Sequence, residues 1–196
     1  MLNSVKQAFR GPLIIISGPS GSGKSTLVRE LLKEKSLPLE LAISATTRKI
    51  RAGEKDGKDY YFWDKEKFQN EVSNQAFLEW AEVYGNFYGT LKAEVEARRS
   101  RGAGVVLEID VQGAGQIRKS GDVSLSVFIM PPDWSACELR LRARGTETEE
   151  TIAKRLSSSK NELDRSQEYD FKVVNDDLDK AVASLKLLVN PLFLER

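Results

Sequence analysis

Residues 11–32 read GPLIIISGPSGSGKSTLVRELL, and this stretch decides the predicted fold. The apolar run from Leu13 to Ile16 predicts a strand that is buried on both faces, as the strands of a parallel sheet are. After a glycine-rich turn, apolar residues recur at helical spacing, at Leu27, Val28, Leu31 and Leu32. A buried strand, a glycine-rich turn and a helix in this order predict the first unit of a parallel α/β sheet.

The turn itself, GPSGSGKS at residues 18–25, matches the pattern G-x-x-x-x-G-K-S/T. Its glycines permit a sharp turn whose N–H groups point at a phosphate chain, and the following helix adds the positive end of its dipole. The Lys24 ammonium can neutralise the β- and γ-phosphates, and the Ser25 hydroxyl can bind Mg²⁺. We therefore predict a P-loop whose nucleotide contacts are Gly18, Pro19, Ser20, Gly21, Ser22, Gly23, Lys24, Ser25 and Thr26.

The rest of the chain extends the same architecture. Apolar runs at 104–110 and 125–130 predict two more buried strands. Helices are predicted at 91–101, 112–119, 134–143 and 178–189. Because strands alternate with helices, we predict an α/β fold, namely a P-loop NTPase core in which helices flank a parallel sheet.

Two regions interrupt this alternation. Residues 44–90 are rich in glycine, aromatic residues and lysine, with one predicted helix at 64–73 and short strands near 60–62 and 77–79. This composition predicts an inserted mixed α+β lobe. Residues 145–168 are polar and open with a Thr-x-x-Glu capping box, Thr146 to Glu149, which predicts a helical lid.

These patterns predict how the chain is divided. We expect residues 1–196 to form a single domain with three parts. The P-loop core comprises 11–43, 91–144 and 169–196, the acceptor lobe comprises 44–90, and the lid comprises 145–168.

The composition excludes several classes of function. Among 196 residues there is one cysteine and no histidine, so an intrachain disulfide, the usual zinc-ligand sets and Ser-His or Cys-His catalysis are excluded. Lys plus Arg number 30 against 29 Asp plus Glu, a balance that does not favour binding to nucleic acid by charge alone. The run at Leu13 is too short for a signal peptide or a membrane span, so we expect a cytoplasmic protein with no membrane partner.

The inserted lobe carries residues suited to a second substrate. Arg48 and Arg51, three residues apart, together with tyrosine hydroxyls of the lobe, are typical of a cradle for a phosphate. A carboxylate such as Glu79 can accept two hydrogen bonds at once. Guanine offers that pair in its N1–H and exocyclic amino group, whereas N1 of adenine is an acceptor. Glu79 would therefore select guanine.

Asp110 follows the apolar run at residues 105–109. A carboxylate at the carboxyl end of a parallel strand lies where ligands bind in open α/β sheets, so it could hold a Mg²⁺-bound water or face the acceptor. It could equally cap the helix that begins near Gln112. Both interpretations remain open from the sequence.

Taken together, these stretches resemble guanylate kinases. The matching blocks follow the order of that family from about residue 13 to 189: ISGPSGSGKSTL, SATTRKIRAGEKDGKDYYF, FLEWAEVYGNFYGT, LEIDVQG, RARGTETEETIAKRL and VVNDDLDKA. Many NTPases share the first block, whereas the blocks within 44–90 and the lid block are much more specific.

The resemblance implies a reaction and a set of site residues. It implies transfer of the ATP γ-phosphoryl to GMP, and to dGMP, with Mg²⁺ in purine nucleotide metabolism. GMP would contact Ser44, Arg48, Arg51, Tyr60, Glu79, Tyr88, Thr90 and Asp110. ATP would also contact Arg140, Arg144 and Asn175, catalysis would use Lys24, Arg51, Arg144 and Arg155, and Mg²⁺ would be held by Ser25 and, through water, by Asp110.

Two other functions remain to be weighed against this one. Guanylate-kinase-like scaffold modules use the same acceptor cradle to bind phosphopeptides, but their ATP side is degraded, whereas Lys24, Ser25 and Arg155 are present here. A kinase for AMP or a small metabolite is the second alternative, and Glu79 argues against AMP. The sequence leaves both a monomer and a homodimer open.

Overall fold

The computed structural model describes residues 10–143 and 149–194. The strands are β1 Leu13–Ser17, β2 Leu39–Leu41, β3 Ser44–Thr46, β4 Tyr61–Phe62, β5 Phe77–Val83, β6 Asn86–Leu91, β7 Gly104–Glu108, β8 Leu125–Met130 and β9 Phe171–Val174. The helices are α1 Lys24–Leu31, α2 Lys65–Ser73, α3 Lys92–Arg99, α4 Val111–Ser120, α5 Trp134–Arg142, α6 Glu149–Asp164 and α7 Leu178–Val189. Short 3-10 helices cover Arg165–Glu168 and Asn190–Phe193.

A five-stranded parallel sheet forms the core, in the order β2-β7-β1-β8-β9. The central strand β1 is at most 1% exposed at each apolar position, which explains its uninterrupted apolar sequence. Ile16 pairs with Glu108 of β7 and with Val127 of β8, so these strands end at the same edge. The predicted P-loop core with flanking helices is confirmed.

The two faces of this sheet bury different helices. Ile14 and Ile16 pack on one face with residues of α1 and α7. Leu13 and Ile15 pack on the other face with residues of α3 and α4. Because successive side chains of a strand point to opposite faces, a single four-residue apolar run supplies both layers.

A second sheet, in the order β4-β3-β6-β5, is built from residues within 44–91. Strands β5 and β6 form an antiparallel hairpin, whereas β3 and β4 are parallel. Phe68 of α2 is fully buried against this sheet and stacks on Phe77 with ring centroids 4.5 Å apart. The predicted mixed α+β lobe therefore has an apolar core of its own.

The two edge strands of the parallel sheet, β2 and β9, were not predicted. β2 is only half-buried, and three of the four residues of β9 are exposed. Edge strands pack against a neighbour on one side only, so their sequences lack the continuous apolar run that reveals a central strand. The predicted strand at 104–110 ends at Glu108, because Asp110 caps the next helix, which begins at Val111.

Helix α6 lies in the predicted lid. Its Ile152 and Ser159 are buried, and its other residues are exposed or half-buried. The predicted capping residue Thr146 and the predicted catalytic residue Arg144 lie outside the described residues. Within 10–143 and 149–194, the structure contains no helix with the length and apolarity needed to span a bilayer.

Candidate active site

A single cleft of about 800 Å³ brings most of the predicted site residues together. It lies where the edge of the parallel sheet that carries the P-loop meets the second sheet and α6. The predicted residues that line it are Gly18, Ser20, Gly21, Gly23, Lys24, Ser25, Ser44, Arg48, Arg51, Tyr60, Glu79, Tyr88, Asp110 and Arg155. Pro19, Ser22, Thr26, Thr90, Arg140 and Asn175 do not line it.

Close approach to the rest of the protein determines the shape of the P-loop. Gly21 and Gly23 have φ of 83° and 89°, the left-handed region in which glycine is favoured. A Cβ added at Gly21 would lie 2.7 Å from the carbonyl oxygen of Cys137, and one at Gly23 would lie 2.2 Å from Nδ2 of Asn175. Glycine is therefore required here for space as well as for conformation.

Lys24 begins α1 and its ammonium reaches back over the loop. Its Nζ donates to the carbonyl oxygens of Gly18 and Pro19, at 2.5 and 3.1 Å. This geometry keeps the positive charge at the mouth of the loop, where a phosphate chain would lie.

Ser25 has a carboxylate partner that the sequence analysis did not assign. From the first turn of α1, its Oγ donates to the carboxylate of Glu108, the last residue of β7, at 2.5 Å. A hydroxyl beside a carboxylate supplies the oxygen ligands that Mg²⁺ prefers. Glu108, rather than Asp110, is the acid that touches the P-loop serine.

Asp110 serves as the N-cap of α4. Its Oδ1 accepts the backbone N–H of Gly113 at 2.8 Å, and its Oδ2 accepts from Nε2 of Gln112 at 3.2 Å. The structure thus shows the capping contact, and a role of Asp110 toward GMP or Mg²⁺ stays a prediction. The side chain still lines the cleft, on the acceptor side of Glu108.

Arg140 and Asn175 support the P-loop from behind. The Arg140 guanidinium donates to the carbonyl oxygens of Gly21, Ser22 and Asn175 at 3.4, 3.3 and 3.0 Å. Nδ2 of Asn175 donates to the carbonyl oxygen of Ser22 at 2.7 Å. Satisfying these buried carbonyls holds the loop open toward the cleft. Contact of either residue with ATP stays a prediction.

In the acceptor lobe, Arg48 is held in place from two directions. Its guanidinium donates two parallel hydrogen bonds to Glu54, at 2.7 and 2.6 Å, and lies 5.0 Å from the centroid of the Tyr60 ring. The Arg48 hydrogen bonds lower the pKa of Glu54, which therefore stays ionised. Glu54 also accepts the backbone N–H of Arg51 at 2.8 Å, so one carboxylate orders the whole arginine loop.

Tyr60 and Tyr88 also line the cleft, beside the predicted phosphate-binding arginines. Their rings meet edge to face with centroids 6.1 Å apart. Burial raises the pKa of Tyr60 to about 12, so its hydroxyl remains a hydrogen-bond donor at neutral pH. Two arginines and two tyrosines thus face the same part of the cleft.

Glu79, the residue predicted to select guanine, provides a buried carboxylate in the cleft. Only 4% of the residue is exposed, and its Oε1 accepts the Thr90 hydroxyl at 2.6 Å. The Ser44 hydroxyl lies 3.4 Å from that of Thr90, which completes a short polar chain. Burial raises the pKa of Glu79 to about 7, and the negative charge of Asp110 adds to the effect.

Helix α4 leaves room for this carboxylate. A Cβ at Gly113 would lie 2.1 Å from Oε2 of Glu79, so glycine lets the carboxylate keep this position where α4 meets β5. The Gln116 side chain of the same helix accepts from the backbone N–H of Trp80 at 3.2 Å and donates to its carbonyl oxygen at 2.7 Å. These contacts fix the strand that carries Glu79.

The lid helix contributes Arg155 and Glu162, which both line the cleft. They are seven residues apart and so lie on the same face of α6. Burial raises the pKa of Glu162 to about 7, although the positive charges of Lys24 and Arg155 oppose this shift. The lid therefore faces the P-loop lysine with a cation and a titratable acid.

Comparison with known proteins gives the family. The family model described as guanylate kinase matches residues 10–191. The chain belongs to the guanylate kinase family. It is 48% identical over 182 residues to the guanylate kinase of Synechocystis sp., which covers 93% of this chain and 95% of that one. It is 49% identical to the guanylate kinase of Hahella chejuensis, with 90% and 85% covered.

A solved guanylate kinase has the same architecture. The crystal structure of the guanylate kinase from Anaplasma phagocytophilum superposes with a TM-score of 0.78 at 32% identity, covering 95% of this chain and 88% of that one. The resemblance predicted from the sequence blocks is thus confirmed for both family and fold.

Three acids of this chain were missed as site residues. Glu108 ends an apolar strand two residues before Asp110, and that position is itself a signal for a ligand-binding acid. Glu54 follows Arg51 by three residues, a spacing that a tight turn brings together. Glu162 carries no such signal, because its placement depends on how α6 folds over the cleft.

Proposed function

We propose that this chain transfers the γ-phosphoryl group of ATP to GMP, producing ADP and GDP. The observation that carries the proposal is one cleft lined both by the P-loop and by a buried carboxylate, Glu79. Arginines and tyrosines of the second sheet line the same cleft, and there the phosphate of GMP would meet the γ-phosphate of ATP.

On the donor side, the P-loop backbone and Lys24 would hold the β- and γ-phosphates. We propose that Ser25, with Glu108 beside it, holds Mg²⁺; the oxygen pair fits such an ion. When bound, Mg²⁺ would neutralise charge that develops on the phosphates. Asp110 remains a proposed water-mediated partner.

On the acceptor side, the Glu79 carboxylate would accept N1–H and the amino group of guanine. Ser44 and Thr90 would complete the base site, while Arg48, Arg51, Tyr60 and Tyr88 would hold the phosphate. Adenine would leave the buried carboxylate without a donor, so the site would discriminate strongly against AMP.

Transfer requires no general base with a tuned pKa. The charge of the transition state spreads over the equatorial oxygens of the phosphoryl group, and positioned cations stabilise it. We propose that Lys24, Arg51, Arg144 and Arg155 supply these cations. Closure of the lid would exclude water, which prevents hydrolysis of ATP.

The division of the chain follows from this mechanism. We propose a core of residues 11–43, 91–144 and 169–196, a GMP-binding lobe of 44–90 and a lid of 145–168, within one domain of residues 1–196. We also propose a cytoplasmic protein of purine nucleotide metabolism.

Parallel acceptor assays test the function. ADP formation from ATP and Mg²⁺ is measured with GMP, AMP, CMP and UMP, and we expect turnover with GMP alone. Turnover with AMP would contradict the assignment of Glu79. GMP binding without turnover for any acceptor would instead support a scaffold module that binds phosphopeptides.

A further inference from the structure

Tyr84 lies at the tip of the β5–β6 hairpin, in a two-residue turn with Gly85. Val83 pairs with Asn86, and Tyr84 and Gly85 have φ of 52° and 76°. A turn with two positive φ values favours Asn-Gly, and a bulky aromatic residue in the left-handed region is strained. The turn itself therefore does not explain the tyrosine.

The side chain of Tyr84 contacts the other two parts of the site. The Arg155 guanidinium carbon of α6 lies 5.6 Å from the centroid of the Tyr84 ring. The Tyr84 hydroxyl interacts with the hydroxyl groups of Ser158 in α6 and Ser20 in the P-loop. One residue of the acceptor lobe thus touches both the lid helix and the donor loop.

These contacts lie at the reacting end of the cleft. Tyr84 lines it together with Lys24, Arg155 and Glu162. The face of an aromatic ring attracts a guanidinium, so the position of the hairpin influences where Arg155 lies. The hydroxyl lies near Ser158 of α6 and Ser20 of the P-loop, so Tyr84 faces both parts of the site from the hairpin.

We propose that Tyr84 is a positioning residue: through it, the position of the acceptor lobe determines where Arg155 lies relative to the P-loop. The inference rests on the proposed function, because it concerns the same phosphoryl transfer. Tyr84 then acts on the chemical step and not on GMP affinity. Its strained backbone is retained because Asn or Gly, which fit the turn better, could not reach the lid.

Three substitutions at Tyr84 separate these effects. Tyr84→Phe removes only the hydroxyl, and we expect kcat to fall about fivefold. Tyr84→Leu also removes the aromatic face, and we expect a fall of about 30-fold. Tyr84→Asn relieves the turn, so we expect a Tm equal to or above that of the wild type while kcat falls as in Tyr84→Leu.

The affinity for GMP distinguishes this role from a purely structural one, because a damaged fold would weaken GMP binding as well as kcat. The dissociation constant of GMP, measured by calorimetry without ATP, should stay within about twofold of the wild type in all three variants. Tyr61→Phe is the matched control, because the Tyr61 hydroxyl donates to Glu94 at 3.2 Å outside the cleft. We expect this control to keep wild-type kcat.

A double-variant cycle tests the route through Arg155. If Tyr84 acts by placing Arg155, the fall in kcat for Tyr84→Leu with Arg155→Lys is smaller than the product of the two single falls. Multiplicative falls would overturn the proposal, as would unchanged kcat in Tyr84→Leu or a GMP dissociation constant that rises as much as kcat falls.

The same assays separate the two proposals. A wild type that does not phosphorylate GMP contradicts the proposed function, and the role of Tyr84 in that reaction fails with it. A wild type that phosphorylates GMP beside an equally active Tyr84→Leu variant contradicts only the role of Tyr84.

Discussion

The donor loop and the acceptor lobe build their predicted binding surfaces in different ways. The donor loop uses backbone, and its shape depends on glycines that pack against Cys137 and Asn175. The acceptor lobe uses side chains, such as the Arg48–Glu54 ion pair and the buried Glu79. A backbone site can be encoded in eight consecutive residues, whereas a side-chain site is assembled from several strands. The first depends on shape and the second on charge, so they should respond to different changes.

We expect the largest effect on kcat/KM for GMP when the charge of Glu79 in the acceptor lobe is removed. Glu79→Gln replaces one acceptor oxygen with a donor, and two hydrogen bonds to a charged group are lost. We expect kcat/KM for GMP to fall about 10³-fold, with the KM for ATP little changed. Steady-state kinetics with GMP and AMP provide the measurement. Glu82→Gln, exposed on the same strand, is the control, and equal losses in both variants would contradict the base assignment.

The same variant should show by how much the buried charge of Glu79 lowers the free energy of unfolding. Because the pKa of Glu79 is raised from 4.5 to about 7, the folded state binds the proton more tightly than the unfolded chain does. The free energy of unfolding of the wild type therefore falls as the pH rises through this range, by at most about 3 kcal/mol. We expect thermal unfolding to show Glu79→Gln more stable than wild type at pH 8, with the difference vanishing near pH 4.5.

The shape of the donor loop is tested next. Gly21→Ala would force a Cβ against the carbonyl oxygen of Cys137, and we expect kcat/KM for ATP to fall about 10²-fold while GMP affinity is retained. Gly121→Ala is the control, since Gly121 has φ of 75° at the end of α4 with open space around it. It shares the backbone strain but not the clash. Similar kinetics for the two variants would mean that packing does not shape the loop.

A pH series sharpens the contrast between charge and shape. Guanosine lacks a phosphate, so its affinity isolates the base site. With the pKa of Glu79 at about 7, the ionised fraction falls about tenfold between pH 8 and pH 6. We expect the guanosine dissociation constant, measured by calorimetry, to rise by that factor, and to be flat with pH in Glu79→Gln. A flat profile in the wild type would exclude Glu79 as the guanine acceptor.

The smallest effect concerns the hydroxyl that supports this carboxylate. Thr90→Val keeps the shape of the side chain but removes its hydrogen bond to Glu79. In the wild type this hydrogen bond lowers the pKa of the Glu79 carboxyl. The pKa of Glu79 should rise further, and guanosine affinity at pH 7 should fall about fivefold. Thr47→Val, whose hydroxyl accepts the backbone N–H of Phe87 away from Glu79, should leave guanosine affinity unchanged. Equal losses in the two variants would contradict a specific role for Thr90.

Particular elements and residues show which features of the structure can be predicted from the sequence. The P-loop, its flanking strand and helix, and α2 through α5 were predicted within one or two residues, because hydrophobic period and capping act over a few turns. The role of Asp110 could not be decided from the sequence, since a carboxylate at that position serves equally as a cap and as a ligand. Its hydrogen bond to Gly113 shows that it caps α4, and it leaves Glu108 as the partner of Ser25.

The sequence by itself determined the P-loop, the α/β core, the inserted lobe and the resemblance to guanylate kinases, because each rests on residues close together in the chain. Only the tertiary structure decided that Glu79 lies against Gly113, that Asn175 supports the P-loop, and that Tyr84 meets Arg155. Each of these contacts joins residues from different elements, and Ser22 and Asn175, 153 positions apart, carry no local pattern that could specify such a pair. Burial and charge at the site follow from these distant contacts, and so do the raised pKa values of Glu79 and Glu162.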